Sequence, residues 1–420
     1  LDRPGGAMFA RAAAGAANTH GPGGRGKGIR LGRRRSRVRG LPEVFGELPV
    51  ACLAEEIETP GDGQIRALIT IAGNPVLSTP TGARLAKALP SLEFMVSLDI
   101  YLNETSRHAD VILPGLSPLE NPHYDVALWN FAIRNYAKYS APVFPPPADR
   151  PSEWETILRL AGIAMGQGAQ VPIATLDDFT MRQRMEPALR NEHSPVHGRD
   201  ADELLAVMQP LTGPDRALDF MLRTGPYGDG FGKTPGGLSL ATLAAHEHGL
   251  DKGPLVPRIP ESLRTPSGMI ELAPDAIVAD VARLRTGLTA TATPMVLIGR
   301  RDLRSNNSWM HNLRALMKDG ARCALQIHPT DAARAGIGRT ARVRSRVGAV
   351  DVPVEITESI MPGVVSLPHG WGHDAAGAQM RIAGAHPGAN SNLLADEAAI
   401  EPLSGNAVLC GIPVTVEATS

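Results

Sequence analysis

Residues 65–114 constrain this chain most. Residues 65–72 (Ile-Arg-Ala-Leu-Ile-Thr-Ile-Ala) are a short apolar run rich in β-branched side chains, the pattern of a buried parallel strand. Gly73-Asn74-Pro75 ends the run, and Thr79 followed by Pro80 supplies an N-cap and a first helical position. Leu85, Ala88 and Leu89 give that helix an apolar face, and Pro90 stops it. Residues 92–98 predict a second strand ending at Asp99, residues 104–109 a short helix or turn, and residues 111–113 a third strand before Pro114. Strand, helix, strand, turn and strand within so short a span mean a βαβ unit and a parallel sheet.

The other segments differ in character. No acidic residue lies between Asp2 and Glu43, while Arg25, Lys27, Arg30, Arg33, Arg34, Arg35, Arg37 and Arg39 all fall in that gap. Residues 1–45 carry no sustained period and read as loop with a basic arm at 25–39, either solvated or facing an anion. With no aromatics interleaved, a cofactor phosphate suits the arm better than nucleic acid. A formal net charge of −1 over the whole chain also argues against a wholly basic nucleic-acid binder. Residues 46–61 predict a short helix, then Pro60-Gly61 breaks the chain. Between residues 143 and 290, Pro145-Pro146-Pro147 is a stiff connector. Residues 154–165 predict a helix capped by Ser152 with Glu155 three positions on, and residues 201–208 predict another. Beyond residue 291, Ala341, Val343, Ser345 and Val347 interleave with Arg342, Arg344 and Arg346. After Gly348 the alternation resumes with Val350, Val352, Val354 and Ile356. That is a β-hairpin with one buried face. Strands at 294–299, 325–327, 364–367 and 414–416, with a short helix at 330–335, complete a β-barrel-like final domain.

No stretch of apolar residues reaches the length of a membrane span. The start of the chain, Leu1-Asp2-Arg3-Pro4-Gly5-Gly6, lacks an initiator Met and a leader pattern, and reads as a chain entered in the middle. Three cysteines, Cys52, Cys323 and Cys410, are too few for a four-thiolate cluster, and each reads as a small buried side chain.

Two loops carry the chemistry. The Gly73-Asn74-Pro75 turn sits past the carboxyl end of a parallel strand, where open α/β sheets bind ligands. Glycine admits close backbone approach, Asn offers a donor and an acceptor, and the next helix N-terminus favours negative charge; an ordinary βα turn would read the same. Asp99 could grip a ribose diol or the paired N–H groups of a guanine edge, or simply form a turn. Residues 103–110 are polar in seven of eight positions ahead of an apolar strand. The second loop, 299–312, carries Arg300, Arg301 and Arg304, Ser305 and Ser308, and Asn306, Asn307 and Asn312. Guanidinium forks match phosphate oxygens and amides read heterocycle edges. His369 and His373 would bind zinc only on a helix, which Gly370 and Gly372 oppose, so no metal ligand is assigned.

Taken together, these segments resemble the molybdopterin oxidoreductases of the dimethyl sulfoxide reductase superfamily, which include formate dehydrogenases and nitrate reductases. The order of strand, Gly73-Asn74-Pro75, Asp99, Glu104-Thr105 and Ala109-Asp110-Val111-Ile112-Leu113-Pro114 carries the resemblance, and residues 295–420 look like the family's C-terminal dinucleotide-binding barrel. The resemblance implies an α/β fold: a parallel-sheet dinucleotide-binding domain at 62–142, an α+β substrate-side region at 143–290 and a double-psi-like β-barrel at 291–420. Residues 1–61 are then a basic arm and the remnant of a missing N-terminal half. It implies molybdenum or tungsten held between two molybdopterin guanine dinucleotides. Gly73, Asn74, Pro75, Ser78 and Asp99, with Glu104 and Thr105, belong to one dinucleotide site. Gly299, Arg300, Ser305, Asn306, Ser308 and Asn392 belong to the other. A four-iron cluster and the metal-ligating side chain belong to the missing half, so no catalytic residue is assigned. The expected function is the C-terminal cofactor-binding portion of a two-electron oxidoreductase; the alternative is a free-standing cofactor-binding protein without turnover. A small-molecule substrate and an electron-transfer partner are the expected partners, and the cytoplasm the favoured compartment.

Overall fold

The computed structural model describes residues 1–15, 26, 28–259, 261–289, 295–318, 320 and 322–419. Arg25, Lys27 and Pro294, which the sequence placed in the basic arm and the first barrel strand, lie outside the described residues. Contacts divide the chain into two units, each built from two stretches: 1–29 with 115–272, and 30–114 with 273–420.

The second unit holds both sheets foreseen in the sequence. A parallel sheet runs Ala67–Ile71, Phe94–Leu98, Val111–Ile112, with Ala67 opposite Phe94 and Ile71 opposite Leu98. Thr70 donates a buried hydroxyl hydrogen bond to Ser97 at 2.9 Å across the first two strands. Leu68 and Met95 pack with Ile57, Val76, Leu85 and Leu89 into one core. Met95 to Leu98 are all buried, but the edge strand departs from the expectation of a buried strand: Ile69 and Ile71 are exposed, Ile71 by 56%. The pleat sends them to the face opposite Leu68, and among the described residues nothing covers that face. The helix expected to start at Pro80 with Thr79 as its cap starts later, and a separate turn precedes it. Pro75–Ser78 makes one helical turn, Thr81 takes a left-handed backbone at φ +51°, and the longer helix is Gly82–Ala88.

The larger sheet has seven strands in the order Ile412–Pro413, Val296–Arg300, Val364–Pro368, Leu325–Ile327, Ala349–Ile356, Thr340–Arg344, Thr415–Ala418. Its outermost strands belong to one continuous segment, residues 412–418, so the mixed sheet curls into a half-barrel. Alternation on the hairpin places Ala341, Val343, Val350 and Val352 in its core with Leu297, Leu325, Ile327, Val365, Leu367 and Trp371. The basic arm is not a loop: Leu31–Arg35 pairs with Pro42–Val44 as a hairpin. Arg33 pairs with buried Glu43, Arg37 with Glu56 at 3.3 Å and Arg39 with Glu55 at 2.6 Å. These carboxylates neutralise Arg33, Arg37 and Arg39, which read from sequence as solvated or anion-facing, while Arg34 and Arg35 donate to the carbonyls of Gly46 and Gly40.

The first unit is mainly helical: Glu153–Ala164, Ile173–Arg190, Ala201–Val207, Gly213–Arg223 and Leu240–Ala244, with one antiparallel pair, Arg134–Ala137 with Leu250–Pro254. Ser152 and Glu155 form the expected capping box. Met181, Met185, Leu204, Met208 and Phe220 make one core, and Ala137, Leu218, Leu222 and Leu243 another. Arg216 is fully buried, its charge met by Asp177 and Asp178, both at 2.7 Å.

Candidate functional site

Within the second unit, a cavity of about 490 Å³ lies against the ends of both sheets. That volume is in the ordinary range for a cofactor-sized ligand. One wall is the turn after the Ala67–Ile71 strand, contributing Gly73, Asn74 and Ser78. Another is the end of the Val296–Arg300 strand and the loop beyond it, contributing Gly299, Arg300 and Ser308. Asn392 closes a third side.

The turn is held from behind. Val76 N–H donates to Thr105 Oγ1 at 3.0 Å, and the Thr105 hydroxyl donates to Asn74 Oδ1 at 2.7 Å. Asn74 Nδ2 then donates to Glu104 Oε2 at 2.6 Å. Thr105 and Glu104 are buried and do not line the cavity; they fix the amide that does. Asn74 keeps one N–H and one lone pair for a ligand. The Pro75–Ser78 helix has four residues, too few for the dipole argument made from sequence. Asn392 Nδ2 donates to Leu77 O at 2.9 Å, tying the third wall to the first.

Arg300 is oriented by its own hydrogen bonds, Nη1 to Ser366 O at 2.7 Å and Nη2 to Ala324 O at 2.8 Å. Burial pushes its pKa down, against weaker raising by Glu355, Cys323 and Asp302. No carboxylate among the described residues lies within ion-pair distance of it, so a half-buried guanidinium borders the cavity with only the longer-range fields of Glu355 and Asp302 set against its charge. A Cβ on Gly299 would meet only Leu409 O, at 3.9 Å, and one on Gly73 nothing closer than 3.8 Å; both positions leave the cavity wall open.

Ser305 and Asn306 line an adjoining cavity of about 420 Å³, with Asp302 and Met310; Arg301, Asn307 and His369 border both. Pro75, Asp99, Glu104 and Thr105 line neither. Asp99 accepts from Tyr101 N–H at 2.9 Å and from Asn103 Nδ2 at 2.8 Å, and closes its own turn; burial raises its pKa.

Three residues of this region carried no role in the sequence reading. His311 and His373, both buried, are hydrogen-bonded to each other, Nδ1 of the first to Nε2 of the second at 3.0 Å. Burial, with His373 beside it, holds the His311 pKa down to about 4. For Glu104, burial pushes the pKa up, but hydrogen bonds from His373 and Asn74 outweigh it and leave the pKa low. Cys410 lines the first cavity and is exposed, unlike buried Cys52 and Cys323, which corrects the expectation that all three are buried. The loop and the His-Gly-Trp-Gly-His motif were both visible; their pairing was not.

Two family models match the chain: the molydopterin dinucleotide binding domain over residues 295–410 and molybdopterin oxidoreductase over residues 4–163. The assimilatory nitrate reductase catalytic subunit of Bacillus subtilis is 32% identical over 125 residues, 30% of this chain and 17% of that protein. The F420-dependent formate dehydrogenase subunit alpha of Methanocaldococcus jannaschii is 31% identical over 127 residues, 30% of this chain and 18% of that protein. The chain spans between 15 and 41% of the length of the curated relatives it matches. Among solved structures, acetylene hydratase from Pelobacter acetylenicus shares the fold, with a TM-score of 0.60 over 90% of this chain and 47% of that one, at 18% identity. No helix among the described residues is long and apolar enough to cross a membrane.

Proposed function

The chain belongs to the molybdopterin oxidoreductases of the dimethyl sulfoxide reductase superfamily, and on that premise we propose that its larger cavity seats a guanine dinucleotide arm of a molybdopterin cofactor. On this reading the chain is the C-terminal cofactor-binding portion of an enzyme for two-electron redox of a small molecule. When bound, the cofactor supplies the molybdenum or tungsten at which the electrons are exchanged.

The observation that carries the reading is Arg300: a guanidinium oriented by two carbonyls, lacking a carboxylate partner, on a wall shared with Asn74, Ser78, Ser308 and Asn392. Each of its terminal nitrogens keeps a second N–H, so it can meet a phosphate without reorganising. Gly299 and Gly73 leave room for a ligand to approach the backbone. Asn74 presents an amide edge suited to a heterocycle or a ribose. Glu104 and Thr105 act through Asn74, and Ser305 and Asn306 serve the adjoining cavity.

The test is cofactor content. The chain is purified from a host that makes the cofactor, its pterin is converted to a fluorescent derivative, and guanine nucleotide is counted per chain. The expected result is nucleotide and pterin in equal amounts, falling at least tenfold in Gly299→Leu, whose side chain would enter the cavity from an exposed strand end without disturbing the core. A wild-type chain with no pterin, or a folded variant that retains it fully, contradicts the proposal.

A further inference from the structure

Behind the adjoining cavity runs a chain of four buried side chains. Ser305 Oγ is 2.7 Å from His311 Nε2, His311 Nδ1 is 3.0 Å from His373 Nε2, and His373 Nδ1 is 3.0 Å from Glu104 Oε1. Ser305, His311, His373 and Glu104 are all buried, and of the four Ser305 lines the adjoining cavity.

With both imidazoles neutral, the direction of every hydrogen bond in this chain follows from its ends; the Gly370 carbonyl also faces the His311 ring. At one end stands a backbone N–H, which can only donate. Val76 N–H donates to Thr105 Oγ1, so the Thr105 proton goes to Asn74 Oδ1, and Asn74 must turn its amide N–H to Glu104 Oε2. The carboxylate accepts there and can only accept at Oε1 as well. His373 therefore places a proton on Nδ1, as the imidazole of a serine–histidine–carboxylate triad does in its resting neutral form. Its Nε2 is then an acceptor, which requires Nδ1–H on His311, whose Nε2 in turn takes the hydroxyl proton of Ser305. Every proton points toward Glu104.

The ring planes are fixed for this task. Trp371 stacks on His311 with centroids 4.0 Å apart and planes at 29°. The glycines on either side of Trp371 permit it. Gly370 has φ +95°, and a Cβ there would lie 2.0 Å from Asn307 O; Gly372 has φ +117°, with Asn390 Cβ at 2.5 Å. The two glycines that argued against a zinc helix instead let Trp371 and His373 approach His311.

We propose that Glu104, acting through His373 and His311, sets the hydrogen-bond polarity of Ser305, so that Ser305 Oγ meets the adjoining cavity as an acceptor only. A ligand seated there must bring an amine, amide or hydroxyl proton to that point; a phosphate or carboxylate oxygen is rejected. Glu104, His373 and His311 are positioning residues, and Ser305 is the residue that determines specificity. The inference stands on this geometry and does not depend on the identity of the ligand in the larger cavity.

One substitution should invert the whole chain. In Glu104→Gln the carboxamide oxygen must still face Asn74 Nδ2, so its NH2 faces His373 Nδ1 and donates. His373 and His311 then both carry the proton on Nε2, and Ser305 becomes free to donate into the cavity.

The experiment is long-range proton–nitrogen correlation NMR on the full chain with 15N-labelled histidine, assigned by His311→Gln and His373→Gln. The wild type should show protonated Nδ1 and bare Nε2 on both rings. Ser305→Ala should leave both tautomers unchanged, because polarity is set at the other end. Glu104→Gln should move the proton to Nε2 in both. A wild-type spectrum with Nε2–H on either ring, or a doubly protonated His373, overturns the proposal. So does a folded Glu104→Gln chain with unchanged tautomers. Should that variant fail to fold, the wild-type and Ser305→Ala spectra still decide.

Discussion

Replacing Arg300 with glutamine separates its two duties. In the wild type the guanidinium holds the carbonyls of Ser366 and Ala324, at 2.7 and 2.8 Å, and brings to the cavity a charge with no carboxylate at ion-pair distance among the described residues. Glutamine can keep one of those hydrogen bonds and loses the charge. The lost structural bond is worth about 1 kcal/mol, a shift of a few degrees in melting temperature. The lost charge-assisted contact to a phosphate is worth about 1.5–3 kcal/mol, roughly a 10- to 150-fold rise in Kd. Isothermal titration with guanosine diphosphate measures the second effect and thermal denaturation the first. Raising the salt concentration should weaken the wild type more than the variant, because a charge has been removed from the interaction. Arg300→Lys, which keeps the charge but not the fork, should fall between them. Equal affinity and equal salt dependence in wild type and Arg300→Gln would refute the assignment of phosphate to this wall.

Thr105→Val removes the link between Val76 N–H and Asn74 without touching the cavity; a stability loss of about 1–3 kcal/mol with weaker nucleotide binding is expected by denaturant titration and calorimetry. Gly370→Ala forces a methyl to within 2.0 Å of Asn307 O at φ +95° and should destabilise the second unit by about 3 kcal/mol or more, seen as a lowered denaturation midpoint. Acid should destabilise the chain through His311. Its folded pKa of about 4 lies below the unfolded value, so the unfolded state binds more protons between the two. Stability present at neutral pH is then lost as pH falls from about 6.5 to 4, by about 3 kcal/mol from this group. Glu104, also held low, extends the loss further into acid. His311→Gln should flatten the upper part of that profile in a pH series of urea titrations.

Much of the fold was legible because local signals agreed with it. The β-branched run at 67–71, the Ser152–Glu155 capping box and the alternation at 340–356 each specify an element from a few neighbours. Signals that depend on distant residues were not. Arg33, Arg37 and Arg39 look unsatisfied along the chain, and only folding brings them to Glu43, Glu56 and Glu55. Ile69 and Ile71 have a buried strand's composition, yet sit on an edge strand. The helix Ile173–Arg190 hides behind weak amphipathicity and an internal Pro187. In the site, Gly73, Asn74, Ser78, Gly299, Arg300, Ser308 and Asn392 border one cavity, whereas the resemblance divided them between two dinucleotide sites. The buried network behind them escaped notice because its carboxylate and second histidine stand 269 residues apart.

The account rests on a guanine nucleotide occupying the cavity bordered by Asn74, Arg300 and Asn392. Photolabelling of the full chain with 8-azidoguanosine diphosphate, followed by peptide mass spectrometry, addresses this directly. Labels competed away by unmodified nucleotide should fall on peptides containing residues 73–78, 298–309, 391–392 and 409–412. Competable labelling confined to residues 115–272, or none anywhere, would contradict it.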